Sequence, residues 1–201
     1  ILQSSGTTGS PKGACITHAN CFNASLLIQK AQQPKRQLCF SSLFWGTGFN
    51  ITCGLFLMPE IQIVPNRDFS IDAFIEIVEK YKITNTMMAP KYLVQLLTSE
   101  KVKLSNTESL QSFMIVGALL SLTLRRKFEE TFPDKNLTIS YSLTEVKVSF
   151  SKPLEYKTEY SVGSLLCFNL SAKIIDDDGK SLKNGEIGEI CAKQGAKFIV
   201  K

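Results

Sequence analysis

Lys12 stands among Gly6, Gly9 and Gly13 and the hydroxyls of Ser4, Ser5, Thr7, Thr8 and Ser10, a combination suited to holding a polyanion. Glycines let backbone N–H groups approach phosphate oxygens closely, and they adopt dihedrals that other residues resist. The hydroxyls add hydrogen bonds, and the lysine adds a mobile positive charge. The P-loop spacing G-x-x-x-x-G-K-[ST] is not met, because Lys12 lies three positions after Gly9 and is followed by Gly13. By composition alone the run also fits a Gly/Ser-rich linker. Pro11-Lys12-Gly13 leading straight into an apolar segment argues against that.

A second group lies at Tyr141, Ser142, Thr144 and Glu145. A carboxylate beside a hydroxyl can hold a divalent cation next to a phosphate. The same Thr-Glu pair fits a helix cap with a dipole-favoured acid equally well. Gly117-Ala118-Leu119 reads as a small-residue turn after an apolar strand. Read from residue types alone, Trp45 before Gly46 is a large core aromatic. His18 is the single histidine, which argues against a Ser-His-Asp triad or a His-rich metal site. Asp72, Glu76 and Lys80 share a helix face as solvated charges.

Strand-like and helical segments alternate around these residues. Ile1-Leu2 suits the end of a strand feeding the glycine run, and Thr17 caps a helix over about 18–29. Strands are expected over 37–44, 61–64, 84–88, 112–116 and 137–141. Helices are expected over 48–58, after Ser70 with Ile71, Phe74, Ile75 and Val78 at helical spacing, and over 91–97 and 120–132. This alternation predicts an α/β fold: a mostly parallel sheet flanked by helices, with ligands beyond the carboxyl ends of its strands. From about Ser161 short strands joined at Asp178-Gly179 and Asn184-Gly185 predict a small antiparallel or barrel-like β subdomain. The expected division is 1–155 and 156–201.

An apolar share of 44% in 201 residues suits a substantial core. The net charge of +5 is scattered, and with no nucleic-acid motif it does not predict a nucleic-acid partner. Six cysteines without a C-x-x-C pair point to a reducing, intracellular setting. No apolar run is long enough for a transmembrane segment, and no signal peptide is seen. The sequence reads as an internal fragment; oligomeric state is not specified.

Ser4 to Gly13 followed by Tyr141-Ser142-Leu143-Thr144-Glu145 resembles the motifs of the adenylate-forming (AMP-binding) superfamily, closest to luciferase-like and coumarate-ligase-like acyl-CoA synthetases. Thr17-His18, Gly117-Ala118 and Gly185-Glu186-Ile187-Gly188-Glu189 support the likeness. The resemblance implies activation of a fatty or aryl carboxylic acid by ATP through an acyl-adenylate, then thioester formation with coenzyme A. It implies that the glycine run is a lid on the β- and γ-phosphates, contacted by Ser4, Thr7, Thr8 and Lys12. It further implies that Tyr141 stacks on adenine with Gly117, Ala118 and Leu119 along one face, that Thr144 bonds the α-phosphate, and that Glu145 holds Mg²⁺. Phe44, Trp45 and Phe49 would line the acyl pocket. A peroxisomal or cytoplasmic location is expected.

The chain departs from that pattern. Trp45 replaces a common histidine, Leu119 a common proline, and Ser140 and Ser142 flank Tyr141 where glycines are usual. The family's ribose-binding Asp and the C-terminal domain with its catalytic lysine are matched by no residue here, so the fragment alone is expected to be inactive. These departures favour an alternative: a divergent member that binds nucleotide or acyl ligand without ligation.

Overall fold

A computed structural model describes residues 1–4, 12–18, 35–54, 61–144, 148–153, 161–165, 170–194 and 197–200. The expected helix after Thr17 and the body of the glycine run fall outside these residues.

Seven strands form the main sheet: β3 (Arg36–Cys39), β4 (Ile61–Ile63), β5 (Asn85–Met88), β6 (Ser112–Val116), β7 (Asn136–Leu143), β8 (Val148–Pro153) and β9 (Ser164–Leu165). Their spatial order is β4-β3-β5-β6-β7-β8-β9. The first five run parallel, and β8 and β9 add antiparallel. Between the parallel strands run α1 (Gly46–Gly54), α2 (Ile71–Tyr81), α3 (Pro90–Thr98), α4 (Glu100–Leu104) and α5 (Leu122–Thr131). A two-stranded antiparallel sheet pairs β1 (Leu2–Ser4) with β2 (Lys12–Ala14). A three-stranded one joins β10 (Leu170–Ile175), β11 (Glu189–Gln194) and β12 (Lys197–Val200). The expected mostly parallel sheet with a small antiparallel unit is therefore present.

One register row explains the core. Leu38, Thr86, Phe113 and Leu137 are successive partners across four strands, and all four are buried. Thr86 Oγ1 donates to the Leu38 carbonyl at 3.3 Å, so its hydroxyl is not stranded. Side chains of α2, α3, α4 and α5 close over this face: Phe74, Leu93, Leu97, Val102 and Phe128 belong to the same cluster. Phe113 meets Phe128 edge-on at 5.1 Å and Phe132 at 5.0 Å. Each fully buried side chain of this size contributes roughly 1.5–3 kcal/mol.

Local signals set the helix ends. Ser70 accepts a hydrogen bond from the Ala73 N–H at 3.1 Å and opens α2. At its far end Lys82 takes φ +50°, and the Ile83 N–H donates to the Val78 carbonyl at 3.2 Å, a Schellman closure built without glycine. The charges of α2 differ from their expected grouping. Asp72 pairs with Lys101 at 2.7 Å and Glu76 with Arg67 at 2.8 Å, both reaching off the helix instead of along it.

The strand expected over 37–44 ends at Cys39. Leu43 and Phe44 lie in a turn, closed where the Trp45 N–H donates to the Ser42 carbonyl at 3.0 Å. Helix α1 begins directly afterwards. Among the described residues no helix is long and apolar enough to cross a membrane.

Candidate active site

The chain leaves β3 toward β4 on one side of the sheet, whereas it leaves β5 toward β6 on the other. In open α/β sheets such a reversal marks where ligands bind, beyond the carboxyl ends of the strands. The β3–α1 loop, the β6–α5 loop and the end of β7 all belong to this edge.

The β3–α1 loop presents Phe44 and Trp45 to solvent, 85% and 57% exposed. Trp45 is thus not a core aromatic. Phe49, one turn into α1, is half-buried, and its N–H donates to the Trp45 carbonyl at 3.0 Å. The loop is fastened by close backbone packing. A methyl group on Gly48 would sit 2.3 Å from the Ser42 carbonyl oxygen and 2.7 Å from that of Ser41.

At the end of β6, Gly117 adopts φ +91°, with open space around its α-carbon. Ala118 is exposed and Leu119 is 65% exposed, so this turn offers a bare edge. Leu120 is buried and pins its far side. Ser121 caps α5 by accepting from the Leu124 N–H at 3.4 Å.

Strand β7 outruns its parallel neighbour. Val116 pairs with Ser140, and β7 continues through Tyr141 to Leu143 alongside β8, where Tyr141 pairs with Phe150. Tyr141 is half-buried, Ser140 buried and Ser142 exposed. Thr144 occupies the turn that follows and is half-buried; Glu145 lies outside the described residues.

The decisive contact joins two of these segments. The three atoms nearest to a methyl placed on Gly46 all belong to Thr144, with Oγ1 at 3.4 Å. Strands β3 and β7 are three spacings apart, about 14 Å. The start of α1 therefore leans across the ends of β5 and β6 to reach the threonine. Aromatic loop and hydroxyl turn form one edge, not two.

Ser4 and Lys12 lie elsewhere, in the separate β1–β2 pair. They are register partners there, so Lys12 stands opposite Ser4 at the point where the glycine run leaves and returns. Lys12 is exposed. Ser5, Gly6, Thr7, Thr8 and Gly9 lie outside the described residues. Among the described residues no group of three or more His, Cys, Asp or Glu side chains could hold a metal ion. Gly46 and Gly48 were not singled out from the sequence as site residues; the signal available was a Gly-x-Gly directly after two aromatics.

Beneath the edge, Cys39 ends β3. Burial pushes its thiol up from the ordinary value, opposed by a smaller lowering from the Ser41 N–H, which donates to the sulfur at 3.4 Å. Such a thiol is a small hydrophobe and not a nucleophile.

The family model described as AMP-binding enzyme matches residues 1–198. The chain belongs to this family. Among AMP-binding relatives, the 4-coumarate–CoA ligase-like 9 of Arabidopsis thaliana is 34% identical over 200 residues, covering 94% of this chain and 35% of its own length. The 4-coumarate-CoA ligase 1 of Narcissus pseudonarcissus is 31% identical over 208 residues, covering 96% and 38%. The chain thus spans little more than a third of the relatives it matches. Among solved structures, the luciferase-like enzyme of the nonluminescent Zophobas morio mealworm superposes with a TM-score of 0.85 at 22% identity, over 98% of this chain and 48% of that one. ATP-bound MatB from Rhodopseudomonas palustris gives 0.82 at 25% identity, over 98% and 40%. The described architecture is that of the AMP-binding fold.

Proposed function

We propose that the protein to which these residues belong activates a carboxylic acid with ATP and transfers the acyl group to coenzyme A. The observation that carries this reading is the meeting of the β3–α1 loop with Thr144, which sets an aromatic acid-side segment against a phosphate-side hydroxyl. Family membership and the coumarate–CoA ligase relatives support it.

In this reading a carboxylate oxygen attacks the α-phosphorus of ATP, the bond to the β-phosphate oxygen breaks, and pyrophosphate leaves. The thiol sulfur of coenzyme A then attacks the acyl carbon, and AMP departs. The glycine run from Ser4 to Gly13, with Ser4, Ser5, Thr7, Thr8 and Lys12 as donors, covers the departing phosphates. Thr144 donates to the α-phosphate, where charge builds up in the transition state. Tyr141 and the exposed edge Gly117–Leu119 border the adenine. A half-buried ring on the strand next to a glycine turn with positive φ fits a flat heterocycle, because among the described residues nothing lies within 4 Å of where a methyl on Gly117 would sit. A magnesium ion would neutralise phosphate charge, and Glu145 is the carboxylate assigned to it. Phe44, Trp45 and Phe49 face the acid, which we place among fatty or aryl acids on their apolar character.

The test is ATP–pyrophosphate exchange by the full-length protein across a panel of fatty and aryl acids. Exchange with at least one acid is expected, and it should be lost in Lys12→Ala and Glu145→Ala. If no acid supports exchange while ATP still binds in calorimetry, the protein is a nucleotide-binding member without ligase chemistry and the proposal fails.

A further inference from the structure

Helix α5 carries its charges in an unfavourable order. Its first turn holds no acid, and Arg125, Arg126 and Lys127 come before Glu129 and Glu130. A helix N-terminus already bears partial positive charge, so this order concentrates positive potential where an acid would be stabilising. Arg126 and Lys127 are exposed, but Arg125 is only 6% exposed. Arginine is almost never buried without a partner. Its Nε is sealed from solvent and donates no hydrogen bond. The ion pairs among the described residues all lie elsewhere, and no described group accepts from this guanidinium. Arginine does not shed its proton to escape burial, so the charge persists.

Neighbouring elements supply no counter-charge. Helix α3, which packs against α5, contains no Asp or Glu. Glu129, one turn further on, is exposed, and a helical side chain leans the other way, back over the turn that precedes it. For Arg125 that turn starts at the cap, Ser121. The Leu124 N–H is taken by Ser121 Oγ at 3.4 Å, whereas the N–H groups of Leu122 and Thr123 have no acceptor within the helix. A buried guanidinium and two free backbone donors thus share one helix end.

We infer that the first turn of α5 is a binding site for a small oxyanion of the phosphate class, with Arg125 as its buried anchor. A tetrahedral oxyanion there accepts from the Leu122 and Thr123 N–H groups, as anions do at helix N-termini, and the guanidinium neutralises it. The site is separate from the phosphate-side residues assigned above, since Lys12 lies in the β1–β2 pair and Thr144 follows β7. It holds whether or not the protein adenylates an acid.

The experiment titrates the full-length protein with inorganic phosphate by isothermal calorimetry, at ionic strength held constant with sodium chloride, and follows thermal unfolding with and without phosphate. Wild type is expected to bind phosphate and to gain Tm from it. Arg125→Met keeps the apolar stem and removes the charge, so it should bind about tenfold more weakly or not at all. Without phosphate it should unfold at the wild-type temperature or above it, because an unpaired buried charge has gone. Leu122→Pro removes one backbone donor at the first helical position, where proline is tolerated and the extended Ser121 already suits it, and should also weaken phosphate. The Arg125-dependent binding should survive in Lys12→Ala. No phosphate binding by wild type, or equal binding by Arg125→Met, overturns the inference. Loss in Lys12→Ala alone assigns the phosphate to the glycine run and overturns it too. An Arg125→Met protein less stable than wild type without phosphate means that a carboxylate elsewhere in the protein already holds the guanidinium, which is equally fatal.

Discussion

Replacing Gly48 by alanine should destabilise the protein, although alanine is the better helix former. The added methyl would lie 2.3 Å from the Ser42 carbonyl oxygen, 2.7 Å from the Ser41 oxygen and 2.8 Å from the Ser42 carbonyl carbon. An unstrained carbon–oxygen approach is about 3.3 Å, so a shift near 1 Å is needed. Neither carbonyl is a flexible tip that can swing away. That of Ser42 also accepts the Trp45 N–H at 3.0 Å, and moving it breaks the turn that starts α1. Overpacking costs about 1–3 kcal/mol. The lost hydrogen bond adds about 1 kcal/mol. Helix propensity returns up to about 1 kcal/mol. The net loss is about 2–3 kcal/mol, which for a domain of this size lowers Tm by roughly 5–10 °C. Thermal unfolding by circular dichroism measures it. Emission from Trp45, the single tryptophan of these 201 residues, reports the turn directly. A Gly48→Ala protein as stable as wild type, or more so, would mean that propensity governs the site and the close packing has been misread.

Two further predictions concern stability alone. Lys82→Gly should stabilise the protein by about 1 kcal/mol, read as a higher urea midpoint with m unchanged, because the φ of +50° burdens any residue with a β-carbon; an unchanged midpoint refutes this. Cys39, its thiol pushed up by burial, keeps its proton in the folded state when the unfolded chain has lost its own. Its contribution is therefore complete below the ordinary thiol value of about 8.5 and is lost as pH rises above it. Urea midpoints between pH 7 and 10 should fall less steeply in Cys39→Ala than in wild type. Exposed Cys15 should be alkylated in the native protein well before Cys39; equal rates would contradict the burial.

Much of the fold was legible because its signals are local. Continuous apolar runs such as Ser112–Val116 gave buried parallel strands, and Ser70 and its apolar spacing gave α2. The turn at Asp178-Gly179 appears as expected. Gly179 has φ +80°, and its N–H donates to the Asp176 carbonyl at 3.0 Å. Gly185, with φ +95°, occupies the third position of a turn from Lys183 to Glu186 closed at 3.2 Å, and Asn184 keeps negative φ. That is a type II turn and not the mirror-image hairpin turn such a pair often makes. The misreadings came where apolar character serves something other than a core. Leu43 and Phe44 extended the β3 pattern on paper, but they are exposed in the turn that aims the loop. Antiparallel β8 alternates only over Val148-Ser149-Phe150-Ser151, too short a signal to stand out, and it pairs with β7 along its length. Alignment of the AMP-binding motifs was readable from residue types; the approach of Gly46 to Thr144 was not. It joins positions 98 residues apart through the tilt of one short helix.

Strand β3 emerges from the ribosome before every other strand of the large sheet described here, yet it lies inside that sheet, not at its rim. Leu38 must wait for Ile63 on one side and for Thr86, 48 residues on, upon the other. During synthesis a future interior strand of the sheet thus waits with both edges open, the condition that invites pairing with a stranger. Its composition answers that exposure. Lys35 and Arg36 put charge at its entrance, and only four residues are strand. The Arg36 guanidinium donates to the Tyr81 carbonyl at 2.7 Å, at the tail of α2. That bond is made only once the chain as far as β5's doorstep has been delivered, so the guard is stood down as its replacement arrives.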